Sequence, residues 1–86
     1  MKAYINHCRC EICQRPDDHP DKAVHRQMNL LMSILNPQQR RWYAALEALR
    51  IGRGGISRVA AITGLDRKTI RRGTSELERK AGSRSF

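Results

Sequence analysis

Six side chains able to bind a metal crowd the first 25 positions of this chain: His7, Cys8, Cys10, Cys13, His19 and His25. No cysteine or histidine follows them. Cys10-x-x-Cys13 has the spacing at which two thiolates of one turn grip a tetrahedral zinc ion. Cys8 is the third candidate ligand and His19 the fourth, with His7 and His25 as alternatives. The expected Zn2+ is structural. Catalytic zinc needs an open coordination position in a pocket and a nearby acid or base, and this polar segment offers neither. Against this stands a plainer reading, in which the cysteines are thiols on a flexible arm. Three cysteines are an odd number, which fits a reduced protein better than a secreted disulfide framework.

A second set of residues is basic. The stretch "GGISRVAAITGLDRKTIRRG" places Arg67, Lys68, Arg71 and Arg72 around a single inward-looking Ile70. Arginine in a helix can make paired contacts to the O6 and N7 of guanine in the major groove. Arg67 and Arg71 are one i, i+4 pair, and both are expected to read bases, with Thr69 adding a hydroxyl or methyl contact. Lys68, Arg72 and Arg58 are expected on phosphates. Gly54 and Gly55 open a helix whose backbone N–H groups would hold another phosphate. An ordinary solvated charge run is the competing account of these residues.

Such residues need elements to hold them. Residues 1–20 show no helical or strand period and read as loop. In "DKAVHRQMNLLMSILN", Val24, Met28, Leu31 and Leu35 share one helical face, and Asp21 can cap its start. Asn36-Pro37 ends that helix and begins the next, Asn36 as N-cap and Pro37 as first helical residue. Trp42, Ala45, Leu46 and Leu49 then form an apolar side, and Gly52 stops the helix. Ile56, Val59, Ala60 and Thr63 share a face of a short helix ending at Gly64. Asp66 caps a last helix, with Leu65 and Ile70 as a hydrophobic staple. A small residue at Ala60, a glycine able to take positive φ at Gly64, and apolar anchors at Leu65 and Ile70 have helix-turn-helix spacing. The expected fold is all-α: about four helices ending in a helix-turn-helix, with a Cys/His-rich N-terminal loop. The divisions are 1–20, a helical domain over 21–80, and a frayed tail over 81–86.

Composition bears on the partner. Of 86 residues, 17 are Lys or Arg and 8 are Asp or Glu, a formal net charge of +9. Residues 1–36 hold five basic and four acidic side chains, whereas residues 37–86 hold twelve and four. An excess concentrated in the half with the helix-turn-helix spacing points to a phosphate-rich partner, double-stranded DNA. No stretch approaches the ~18 apolar residues that span a bilayer, and no secretory signal is evident. A cytoplasmic protein is expected.

The stretch "LNPQQRRWYAALEALRIGRGGISRVAAITGLDRKTIRRGTSELE", residues 35–78, resembles the N-terminal region of insertion-sequence transposases of the ISAzo-thirteen type. Leu35-Asn36, Gln39–Trp42, Ile51–Ser57 and Thr69–Gly73 carry the resemblance. It implies a helix-turn-helix that binds the element's terminal inverted repeats. In that family a catalytic domain with metal-binding carboxylates follows, whereas this chain stops at Phe86, and "CRCEIC" lies outside the family pattern. The expectation is therefore a non-enzymatic DNA-binding module, either transposase-derived or a small transcriptional regulator. A different class of function is an interaction module, in which the apolar helix 21–36 dimerises or docks a larger protein complex.

Overall fold

At Asn36-Pro37 the chain stops one helix and starts another, and both events have visible causes. Proline pushes the residue before it out of the helical region. Asn36 then accepts a hydrogen bond from the Gln39 N–H at 2.8 Å, while the Asn36 N–H donates to Gln39 Oε1 at 3.0 Å, a reciprocal capping box. The preceding helix ends with its last carbonyls covered by Arg40, whose Nε donates to Met32 O at 2.8 Å. In the computed structural model, which describes residues 5–82, all regular structure is helical. The elements are α1 Glu11–Gln14, α2 Pro20–Ser33, α3 Pro37–Ile51, α4 Gly55–Thr63 and α5 Arg67–Gly82. The tail expected over 81–86 is therefore helical through Gly82, and its last four residues lie outside the described residues. The segment expected to be loop contains the short helix α1.

α3 is the spine. It packs along α5 and across α4, while α2 packs on α4 and α1 on α2. Ala44, Ala48, Val59 and Ile70 form the buried centre, with Ile56, Ala60 and Leu65 packed against it. The anchors expected at Val59, Ala60, Leu65 and Ile70 are all here. The face expected for α3 is there only in part. Ala45 is buried as expected, but Leu46 and Leu49 are exposed, and Ala44 and Ala48 point inward in their place. The reason is close approach. A Cβ on Gly73 of α5 would lie 2.5 Å from Arg41 O and 3.0 Å from Ala45 Cβ, so α3 meets α5 through small residues. Leucines could not fit at that crossing.

The buried face of α2 also departs from the expected one, Met28 being the position they share. Val24 and Leu31 are exposed, and the buried positions are His25, Met28, Asn29 and Met32. The spacing i, i+3, i+4, i+7 is that of a buried helical face, but half of it is polar. His25 faces the cysteines, and Asn29 donates to Ile62 O at 2.8 Å. Polar duties, not apolar content, set how α2 turns.

Candidate metal centre and basic face

Cys8 and Cys10 lie on the irregular segment before α1, and Cys10 occupies the N-cap position of α1. Cys13 follows one turn later on α1. His25 comes from the second turn of α2. Their four ligand atoms lie within 4.8 Å of one another. His25 Nδ1 sits 3.4 Å from Cys8 Sγ, 3.4 Å from Cys10 Sγ and 3.3 Å from Cys13 Sγ. A tetrahedral ion with bonds of ~2.3 Å to sulfur and ~2.0–2.1 Å to nitrogen has donor-to-donor edges of about 3.5–3.8 Å. The observed spacing is close to that, so Cys8, Cys10, Cys13 and His25 through Nδ1 make a candidate metal site.

Electrostatics agrees with the geometry. Burial pushes the Cys8 thiol up to about 12. Burial likewise raises Cys13. Desolvation also acts on Cys10, but hydrogen bonds from the Cys13 backbone and from the neighbouring thiols outweigh it and move that thiol downward. Three sulfurs this close cannot all hold negative charge unaided, and a divalent cation supplies what they lack. Burial lowers His25, helped by Arg58 and His19 and opposed by Asp21. The neutral ring is the form that ligates metal.

The histidine that joins the three cysteines in the candidate site is therefore His25 and not His19. His19 is the N-cap of α2, where its Nδ1 accepts from the Asp21 N–H at 3.1 Å. It fills the capping role expected for Asp21, whose carboxylate lies 3.7 Å from Arg58 Nη2. His7 is exposed and outside the cluster.

The expected basic residues sort into two groups. Arg67, Lys68 and Arg71 are exposed on the first turns of α5, and none has an ion-pair or hydrogen-bond partner for its side chain among the described residues. Behind them Ile70 is fully buried. Thr69 is half-buried at the edge of that inner face. Arg72 is engaged, with Nε 3.3 Å from Glu76 Oε2, and Arg58 pairs with Asp21. Gly55 is buried and its N–H donates to Gly52 O at 2.9 Å, so it has no N–H left for a phosphate. Gly54 is exposed with φ +77°.

Sequence reasoning missed three polar residues. Glu76 accepts from Arg41 Nε at 2.7 Å and Trp42 Nε1 at 2.8 Å, tying α5 to α3. Asn6 and Asn29 both donate to Ile62 O at the end of α4. Period-counting finds apolar faces, so it passes over asparagines that satisfy a helix end.

No family model, curated protein or solved structure matches this chain. Among the described residues no helix is long and apolar enough to cross a membrane.

Proposed function

We propose that this protein is a non-enzymatic double-stranded-DNA-binding module that presents α5 to the major groove and carries a structural Zn2+ in its N-terminal lobe. One observation carries the DNA reading. Arg67, Lys68 and Arg71 stand unpartnered on the early turns of a helix whose opposite face is locked by Ile70 and Gly73. Unneutralised cations on a rigid helix suit phosphates and guanine edges. The turn before α5 supports the same reading. Gly64 has φ +77°, its N–H donates to Ala60 O at 2.9 Å, and Leu65 seals the joint. The resemblance of residues 35–78 to transposase end-binding regions points the same way, and makes a transposon-end binder or a small regulator the role.

Zinc is the metal proposed because three thiolates and one imidazole at tetrahedral spacing are its preferred structural donor set. Four protein ligands leave no position for substrate, so the ion orders the chain and does no chemistry.

Selection of bound sequences from a randomised duplex library at physiological salt tests the DNA reading, and enrichment of one motif is expected. Arg67→Ala or Arg71→Ala then costs about 1–3 kcal/mol on that motif and relaxes its sequence preference. Arg72→Ala and Arg58→Ala, whose cations are already paired, cost less and act on all sequences alike. An unenriched pool rejects the reading.

A second reading has its own observation. Val24, Leu30, Leu31 and Ile34 on and just after α2 are exposed, Ile34 by 75%. On this reading α2 docks a second copy or a larger protein. A pool without enrichment, together with a mass in solution above that of the monomer, favours it.

A further inference from the structure

The metal centre and the α4–α5 turn are joined by more than proximity. Arg9, between the ligands Cys8 and Cys10, donates its backbone N–H to Ala61 O at 2.9 Å. Asn6, two residues before Cys8, donates Nδ2 to Ile62 O at 3.2 Å. Asn29, one turn after the ligand His25, donates Nδ2 to the same Ile62 O at 2.8 Å. These two carbonyls are among the last of α4, which the helix itself leaves without partners. The side chain of Asn6 also lies against Gly64, where a Cβ would approach its Oδ1 to 2.8 Å. Both ligand-bearing segments therefore end on the C-terminus of α4, and the N-terminal one also on Gly64, the residue that starts the turn into α5.

We propose that the metal centre is a clamp on the α4–α5 turn, so that Zn2+ occupancy and duplex affinity are thermodynamically linked. The proposal rests on the DNA-binding reading given above. The physical route is short. The ion joins the 8–13 segment to α2. Only while they are joined are Asn6, Arg9 and Asn29 all aimed at the end of α4. Release of the ion frees the N-terminal segment, because residues 5–10 have no regular structure of their own to hold them. The Arg9 N–H donor to Ala61 O and the Asn6 donor to Ile62 O are then lost, and the turn that orients α5 loosens. Coupling of two sites is reciprocal, so bound duplex must tighten zinc by the factor by which zinc tightens duplex.

The test uses the full chain loaded with Zn2+ and the same chain after chelation. Fluorescence anisotropy with a mixed-sequence duplex reads affinity, and amide hydrogen exchange reads the turn. Zinc-loaded protein is expected to bind about tenfold more tightly than the chelated form, within the usual range of coupling between sites. Exchange at Thr63, Gly64 and Leu65 should accelerate on chelation while the centre of α3 stays protected. Asn6→Ala, which removes a clamp contact and no ligand, should retain zinc and narrow the difference between the two forms. Equal affinity of loaded and chelated protein, or failure to take up Zn2+, overturns the linkage. Absence of duplex binding in both forms sinks the DNA-binding reading instead. In that case zinc-dependent exchange at Gly64 and Leu65 still upholds the clamp, and unchanged exchange rejects it.

Discussion

A histidine buried beside three sulfurs is satisfied when it shares a cation with them. His25 meets that condition by geometry, with Nδ1 at 3.3–3.4 Å from each Sγ, and by charge, since burial keeps its ring neutral. His25→Ala should therefore reduce zinc from about one equivalent to near zero, whereas His19→Ala should keep the metal and cost about 0.5–2 kcal/mol through the lost cap. Metal analysis and thermal melts of the two variants check this directly. Zinc should also leave as the pH falls, because protons compete for the three thiolates and the imidazole. The cysteines were legible as ligands because their spacing is local. The choice among three histidines was not, because it depends on which way α2 turns. That rotation follows from Asn29 reaching Ile62 O across 33 positions of chain.

At the scale of elements, most helix ends were legible, although His19 and not Asp21 caps α2. The inner faces of α4 and α5 were legible where those of α2 and α3 were not. Asn36, Pro37, Gly52 and Gly64 each act locally, Asn36 through its side-chain oxygen and the others through their backbone, and each performs as its residue type dictates. The faces of α2 and α3 follow partners distant in sequence, so the largest apolar residues misled. Gly73 shows the consequence. In an isolated helix, Gly→Ala gains about 1 kcal/mol. Here the added methyl meets Arg41 O at 2.5 Å in the backbone of α3. Gly73→Ala should thus be net destabilising by about 1–3 kcal/mol, read as a lowered denaturation midpoint. Glu76 joins the same two helices from the side. Arg41, then Trp42 and Arg72, hold its carboxyl down to about 2. A depressed carboxylate stabilises the fold fully above its unfolded pKa, and that contribution is lost as pH falls toward about 2. Glu76→Gln should lower the melting temperature at neutral pH and flatten the loss of stability between pH ~4.5 and ~2. Parallel acid limbs in the variant and the parent would show that the contact adds nothing.

On the scale of the whole molecule, charge and packing are divided. The metal lobe is nearly balanced in charge, and the helical half carries most of the +9. A small domain has little core to spare, and here five of the buried positions are alanine or glycine: Ala44, Ala45, Ala48, Gly55 and Gly73. A structural ion at Cys8, Cys10, Cys13 and His25, as proposed above, would supply order that so thin a core lacks. The division also separates the two functional readings in space, because α5 carries the unpartnered cations and α2 the exposed Leu30, Leu31 and Ile34. One measurement distinguishes them: backbone amide chemical shifts of the zinc-loaded chain during titration with duplex DNA. The account predicts that the largest changes fall on Arg67 to Gly73. Changes confined to α2, or none at physiological salt, would contradict it.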